Sequence, residues 1–313
     1  MRKLLPLLLA ALLLTGCAAP TPVSEDGKLR IVTTIWPEYQ WVRAILGENP
    51  AGAEVELLVA DGVDPHSFQP AVQDILQLYT CDLLIYLGAE SDRWVQDTLQ
   101  GEVDEALVAL ALMDAVAEDL CTAEHDHDHG AADHHHEETY DEHIWLSLKR
   151  AAELCHTIAH TLGEVDPANA AVYEANAEAY IAQLNALDAR YAAAVARAEH
   201  PHLVVADRFP FTYMAQDYGI HVDAAFPGCS AETEASFATV MHLAETVDEH
   251  ALEHILIIDG SDGSIARTVV EATAAKNAKI LTLHSMQSAI GEGETYLSIM
   301  ERNLAVLEEA LGQ

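Results

Sequence analysis

The stretch HDHDHGAADHHHEETYDEHIW, from His125 to Trp145, holds seven of the 17 histidines of the chain, with carboxylates between most of them. Imidazole nitrogens and carboxylate oxygens are ligands that bind borderline divalent metals such as zinc. The chemistry that these residues could perform is therefore metal capture, either at one defined site or over a loose tract.

Residues 124–138 form the loose part of this stretch. They combine histidines with acids and small residues, so they cannot bury enough apolar surface to order themselves. Such a tract can still bind metals weakly through many interchangeable combinations of ligands. We expect auxiliary weak metal binding here, with an inert solvated linker as the alternative, and the ligands would be His125, His127, His129, His134, His135 and His136.

His143 belongs to a different kind of segment, YDEHIW. The pattern predicts a helix from Asp141, which places His143 in the first turn, where neutral imidazole is favoured over positive charge. Asp141 and Glu142 could orient the imidazole by accepting a hydrogen bond, or could only favour the helix N-terminus. We predict that His143 is a specific metal ligand.

His66 lies in DGVDPHSFQP, directly after the predicted strand VELLVA. Pro65 stiffens the loop that presents it. A single loop histidine is more often a surface residue than a ligand. Its candidacy therefore depends on His66 and His143 coming together in the fold.

Strand and helix patterns alternate in each half of the chain, which predicts parallel sheets covered by helices. Between the halves, residues 167–198 are alanine-rich without internal glycine or proline and predict one long helix. We expect an α/β protein with two Rossmann-like lobes joined by one long rigid helix. A coiled-coil dimer is the alternative reading of that helix. The expected boundaries are 29–165, 166–199 and 200–313.

The N-terminus reads as a lipoprotein signal. Residues 1–16 place two basic residues before a short apolar run, and Leu14-Thr15-Gly16-Cys17 is similar to a bacterial lipobox. A lipid on Cys17 would anchor the protein to a membrane without spanning it. Residues 17–28 are expected to be a flexible tether.

Charge and cysteine content narrow the possible partners. With 15 basic and 51 acidic residues the formal charge is -36, which repels nucleic acid and attracts cations. No CxxC pair occurs, so a thiolate zinc site is not expected. Disulfide pairing remains open among Cys81, Cys121, Cys155 and Cys229.

Taken together, these segments resemble the metal-binding lipoproteins of bacterial ABC importers for zinc or manganese. The resemblance covers essentially the whole mature chain and rests on the lipobox, TTIWP, DPHSFQP, the histidine-rich insert before DEHIW, the long central helix and GETYLSIMERN. It implies that His66 and His143 are metal ligands. The insert is typical of the zinc members.

The same resemblance implies a third ligand in a segment like HDAFGYF, where this chain has ADRFPFTYM. Spacing to the aromatic residues places Ala206 there, while spacing to Tyr218-Gly219 places the ligand nearer Asp207 or Arg208. Alanine cannot bind a metal, so Asp207 is our candidate. Its alternative role is that of a helix-capping or salt-bridging aspartate.

A fourth ligand is implied in a segment like LDPLG, after a late strand. Here TLHSMQS places His284 at that position. A further option is PGCSAETEASF, where Cys229 or Glu234 could bind directly. In that segment a capped helix N-terminus explains the same residues.

Three imidazoles and one carboxylate suit four-coordinate Zn(2+), whereas exchange of an imidazole for a second oxygen would favour manganese or iron. We expect a monomer that binds zinc with high affinity outside the cytoplasm and delivers it to the membrane subunit of an ABC permease. A metal-binding surface adhesin is the alternative. A secreted zinc hydrolase would need a general base, and the sequence has no HExxH motif, so we do not expect an enzyme.

Overall fold

The computed structural model describes residues 28–60, 62–101, 103–122, 140–228 and 234–313. Within these ranges no helix is both long and apolar enough to cross a membrane. Several predictions of the sequence lie outside the described residues: the signal 1–16, nearly all of the tether 17–28, the lipidated Cys17, the alternative ligand Cys229, and the tract histidines His125, His127, His129, His134, His135 and His136.

The first lobe contains a parallel four-stranded sheet with the order β2-β1-β3-β4. Its central strands are buried on both faces, as expected for a parallel sheet covered by helices. The strands are β1 Arg30–Thr33, β2 Glu54–Leu57, β3 Leu83–Tyr86 and β4 Val108–Ala111. The helices are α1 Trp36–Leu46, α2 Val72–Thr80, α3 Arg93–Leu99, α4 Leu112–Ala115 and α5 Leu148–Val165.

The second lobe repeats this plan with the strand order β6-β5-β7-β8, again parallel throughout. Its strands are β5 His202–Phe209, β6 His221–Pro227, β7 His254–Ile258 and β8 Lys279–Leu283. Its helices are α7 Thr212–Tyr218, α8 Phe237–Glu249, α9 Ser264–Ala272 and α10 Tyr296–Ala310.

A helix of 28 residues, α6 Ala170–Arg197, lies between the two sheets in the chain order. It buries Leu184, Leu187 and Tyr191, whose spacing of three and four places them on one face. The predicted fold class, two parallel α/β lobes with one long helix, is confirmed. The boundaries 29–165, 166–199 and 200–313 stay a prediction.

One hydrophobic core runs through both lobes. Trp41 on α1 and Tyr296 on α10 contribute to it, with ring centroids 5.3 Å apart and the edge of one ring against the face of the other. The hydroxyl of Tyr191 on α6 donates to the carbonyl of Met300 at 2.6 Å. Because the core is shared, large separations of the lobes would expose apolar surface to water.

The helix predicted from Asp141 begins later, at Leu148, so the prediction that His143 lies in a helical first turn was wrong. A short 3-10 turn, Ile144–Leu146, comes first. The reason is the position of the cap: the Ser147 hydroxyl accepts a hydrogen bond from the Arg150 backbone amide and starts α5 there. The capped helix N-terminus expected in PGCSAETEASF likewise leads to a helix that begins at Phe237.

The three described cysteines, Cys81, Cys121 and Cys155, are free thiols. Burial raises the pKa of Cys81 to about 12 and also raises the pKa of Cys155. These two buried thiols therefore stay protonated at neutral pH and are not thiolate ligands.

Trp145 connects the 3-10 turn to the second lobe. Its indole Nε1 donates to the carbonyl of Ser285 at 2.9 Å, and its own carbonyl accepts from the hydroxyl of Tyr296 at 2.6 Å. All three residues are buried. The segment that carries His143 is thus held by hydrogen bonds from the other lobe.

We predict that Tyr296→Phe lowers the free energy of unfolding by about 1–3 kcal/mol, because it leaves the buried Trp145 carbonyl without its donor. Denaturant unfolding followed by circular dichroism measures this. The matched control is Tyr39→Phe, whose hydroxyl contacts Arg43 at the surface. It should change stability by less than about 0.5 kcal/mol. Equal losses in the two variants would contradict the assigned role of Tyr296.

Candidate metal centre

His66 lies in the loop after β2, within the short 3-10 turn Pro65–Ser67. The Asp64 carboxylate accepts the backbone amide of His66 at 3.0 Å and caps this turn. On its other oxygen, Asp64 lies 3.4 Å from Nη1 of Arg208, which belongs to the second lobe. The loop is therefore held both by a hydrogen bond within it and by Arg208, from the far side of the cleft between the two lobes.

His143 is held by the carboxylate of Asp141. Asp141 Oδ1 accepts the backbone amide of His143 at 2.9 Å and lies 2.7 Å from its Nδ1. The carbonyl of Asp141 accepts the hydroxyl of Tyr213, a second-lobe residue, at 2.5 Å. Only 3% of the His143 side chain is exposed, so the ring has one buried orientation.

The next residue, Glu142, holds His66. Its Oε1 lies 2.8 Å from Nδ1 of His66, and its Oε2 accepts the backbone amide of Ser91 at 3.1 Å. The two consecutive carboxylates of the DEH segment therefore orient two imidazoles that are far apart in the sequence. A carboxylate on one ring nitrogen sets the tautomer and makes the other nitrogen a better ligand.

Both imidazoles point at one amide group. Nε2 of Gln287 lies 2.8 Å from Nε2 of His66 and 3.3 Å from Nε2 of His143. Since each Nδ1 hydrogen bonds to a carboxylate, each Nε2 carries a lone pair that accepts from the Gln287 amide. Two imidazole lone pairs thus converge on a single position between the lobes.

The electrostatics of this position favour a cation. Burial alone would raise the pKa of the Glu142 carboxyl, but hydrogen bonds from His66 and Ser91, and the charge that each imidazole carries when protonated, lower it to about 2. Burial likewise opposes ionisation of Asp141, while the hydrogen bonds of His143, and its charge when protonated, hold the pKa of Asp141 below the ordinary value. Both carboxylates are therefore ionised at neutral pH.

Asp207 lies in β5 next to a register shift between Val205 and Arg208. Its Oδ1 accepts the backbone amide of Arg208 at 2.9 Å. Ala206 is buried, and it is Arg208 that extends across the cleft to Asp64. The alternative candidate Glu234 is exposed.

His284 follows the carboxyl end of β8, as predicted. Its Nδ1 accepts the backbone amide of Met286 at 3.0 Å and lies 3.3 Å from Oδ2 of Asp259. Burial lowers the pKa of the imidazole, which keeps it neutral at pH 7. In the parts of the chain described, no three His, Cys, Asp or Glu side chains surround a common metal position. The set His66, His143, Asp207 and His284 therefore stays a prediction.

Sequence reasoning missed Gln287, although it identified the segment TLHSMQS. The resemblance places the fourth ligand directly after the strand, at His284, and does not indicate Gln287. Met286 has a φ of 64°, which is rare for a residue with a large side chain. This backbone conformation bends the chain after β8 and accompanies the inward position of Gln287. Only the location after a strand end could have indicated this residue.

A pocket of about 310 Å³ opens beside His66. Two aromatic rings form one wall, with the centroids of Phe68 and Trp94 5.7 Å apart. Glu90 and Ser91 also line the pocket. His66 is thus accessible from solvent, with 23% of its side chain exposed, while His143 is enclosed.

A fold with two parallel sheets, and polar side chains that meet between them at strand ends, is that of a two-lobed α/β binding protein. A family model described as "Zinc-uptake complex component A periplasmic" matches residues 31–310. The chain belongs to this family, whose members are substrate-binding components of transport systems.

Relatives and solved structures agree with this membership. The chain is 33% identical over 312 residues to the zinc-binding lipoprotein AdcA of Streptococcus pneumoniae serotype 4, covering 97% of this chain and 60% of that protein. It is 28% identical to the high-affinity zinc uptake system protein ZnuA of Bacillus subtilis, covering 92% and 89%. The chain thus spans about 60% of the length of the first curated relatives that it matches.

Among solved structures, the Zn(II)-bound ZnuA-like domain of Streptococcus pneumoniae AdcA matches with a TM-score of 0.72 and 27% identity. The match covers 92% of this chain and 100% of that domain. The two-lobed architecture is therefore shared over nearly the whole described length.

We predict that His66 and His143 are both protonated at Nδ1 and unprotonated at Nε2 in chelator-treated protein at pH 8, because Glu142 and Asp141 accept from Nδ1. Nitrogen-15 NMR of the imidazole rings measures the tautomers directly. The exposed His156 on α5 is the internal control and should show the ordinary mixture found in water. A proton on Nε2 of either cleft histidine would contradict the assigned hydrogen bonds.

Proposed function

We propose that this protein binds zinc with high affinity outside the cytoplasm and delivers it to the membrane subunit of an ABC-type permease. The observation that carries the proposal is the convergence of the His66 and His143 Nε2 atoms on one point, 2.8 and 3.3 Å from the same amide nitrogen. The names of the relatives, a zinc-binding lipoprotein and a zinc uptake protein, support zinc as the cargo.

In this proposal His66 and His143 are the first-lobe ligands, each with a zinc–nitrogen distance of about 2.0–2.1 Å. The Gln287 amide now stands where the ion would be bound, so zinc entry requires this side chain to turn aside. The loop after β8, together with Asp207, would supply the remaining ligands from the second lobe. Two imidazoles favour zinc, whereas a set richer in oxygen would favour manganese or iron.

Ligands from both lobes make metal binding and lobe position interdependent. The hydrophobic core shared by the lobes limits any opening to small tilts. Release would follow when the permease shifts the lobes and separates the ligands. A lipid on Cys17 would keep the protein at the membrane, and the tract 124–138 would gather metal weakly near the cleft.

We predict that the pair His66→Ala and His143→Ala abolishes tight zinc binding, because it removes both converging lone pairs. Deletion of residues 124–138 should remove only weak additional sites. Calorimetric titration of zinc and of manganese into each variant measures this, and zinc should bind more tightly than manganese. A matched control is the pair His156→Ala and His160→Ala, which removes two exposed imidazoles from α5.

Tight zinc binding that survives the His66 and His143 pair would contradict the proposed site. Tight binding lost on deletion of the tract alone would place the site in residues 124–138 and favour a surface metal store or adhesin. Tighter binding of manganese than of zinc would overturn the cargo but leave the site in place.

Gln287→Glu should increase zinc affinity by about tenfold or more, because a carboxylate beside the ion adds an attraction of a few kcal/mol at intermediate dielectric. Competition with a chromophoric zinc chelator measures the change. Gln69→Glu is the matched control, since Gln69 lines the outer pocket and not the point between the imidazoles. Its effect should be less than about threefold because exposed charges are screened. Equal increases in zinc affinity in the two variants would show that the added carboxylate acts through the overall charge of the protein and not through its position beside the ion.

A further inference from the structure

A second group of histidines lies in the second lobe, where its strands begin. His202 is the first residue of β5, His221 is the first of β6, and His254 is the first of β7. Gln287, in contrast, follows the carboxyl end of β8. Because all four strands are parallel, this group and the cleft lie at opposite edges of the same sheet.

The carboxylate of Asp223 on β6 joins two of these imidazoles. Its Oδ2 lies 2.6 Å from Nε2 of His202, and its Oδ1 lies 3.0 Å from Nε2 of His242 on α8. His202 and His221 are partners in the β5–β6 register, with ring centroids 6.0 Å apart. The ring of His250, at the end of α8, lies 4.2 Å from the ring of His202. Two imidazoles thus contact one carboxylate, and two further imidazoles lie beside the ring of His202.

The chemical environment of these side chains suits a ligand set. Burial alone would raise the pKa of Asp223, but hydrogen bonds and charges of His202 and His242 hold it below the ordinary value, so the carboxylate is ionised. His202 is 16% exposed and Asp223 28%, whereas His242 is 63% exposed. The group is therefore anchored on the sheet and open to solvent on the side of α8.

We propose that His202, Asp223 and His242 form a second binding site for a borderline divalent cation such as zinc, separate from the cleft. The ligands come from three elements, β5, β6 and α8, and one of them is anionic. Ligand atoms about 2.0–2.1 Å from a tetrahedral zinc lie about 3.3 Å from one another. The observed separations of 2.6 and 3.0 Å are hydrogen-bond contacts, so each imidazole must move away from the carboxylate by a few tenths of an ångström to admit the ion.

Small side-chain rotations complete this site. In the described parts of the chain no three such groups already surround an open position. The exposed His242 ring can turn without disturbing the core, and His250 or water can take the fourth position. Each Nε2 that binds the ion gives up its proton to solvent or carries it on Nδ1 instead, so binding weakens at low pH.

The competing role of Asp223 is that of a brace, in which a carboxylate bridges two imidazoles and fastens α8 to β6. A brace stabilises the fold and binds no metal. The two roles therefore differ in whether these residues contribute to a saturable metal site, which a titration can measure.

The test uses the full chain with His66→Ala, His143→Ala and a His→Asn substitution at each of the six tract histidines. This chain is titrated with cobalt and with zinc. We expect one saturable site to remain, with the intense visible absorption of four-coordinate cobalt. His242→Ala and Asp223→Asn, each added separately, should weaken it by at least about tenfold, since loss of even an indirect partner of a ligand costs 10–100-fold. The control pair His156→Ala and His160→Ala should leave it unchanged.

Absence of saturable binding in the background chain, or binding unaffected by both variants, would overturn this site and leave Asp223 as a brace. Loss of saturable cobalt binding in the His156→Ala and His160→Ala pair would assign the second site to α5. Thermal melts verify that each variant is folded. His242→Ala should disturb the fold least, because the side chain of His242 is exposed. In the otherwise unaltered chain, His242→Ala should leave tight cleft binding intact, so the two sites fail or succeed independently.

Discussion

Two hydrogen bonds, from Nδ1 of the buried His143 to Asp141 and from Nδ1 of the partly exposed His66 to Glu142, determine the rest of the metal centre. A buried carboxylate is costly unless it is paired, so each imidazole satisfies an acid as well as being oriented by it. With both Nδ1 atoms engaged, both Nε2 lone pairs are left to face the same point. The two acids are adjacent in sequence, which ties the two ring orientations to one short segment.

That segment is held in place by the other lobe. Tyr213 donates to the carbonyl of Asp141, Trp145 donates to Ser285, and Arg208 pairs with Asp64 beside His66. First-lobe ligands therefore depend on second-lobe contacts even before any second-lobe ligand is considered. A small displacement between the lobes changes the geometry of the imidazoles, which gives a physical route for coupling lobe position to metal affinity.

The histidines in the described parts of this acidic chain differ greatly in environment. His143 is enclosed and paired with an ionised acid, whereas His242 is largely exposed and shares Asp223 with His202. The formal charge of -36 attracts cations to the whole surface, but selectivity requires fixed ligand atoms. The number of histidines in a segment is thus a poor guide to where a metal is bound. The hydrogen-bond partners of each histidine are a better guide.

The amino-acid order is enough to predict the two α/β lobes and the long helix, because strand alternation and helix propensity are local properties. It also singled out His66 and His143, whose loops follow recognisable patterns. The contacts of the folded chain are what pair Glu142 with His66 and not with the adjacent His143, and what place Gln287 between the two rings. These contacts join segments up to 221 residues apart. The spacing of residues within one segment cannot predict which side chains from distant segments come into contact, because that depends on how the segments pack.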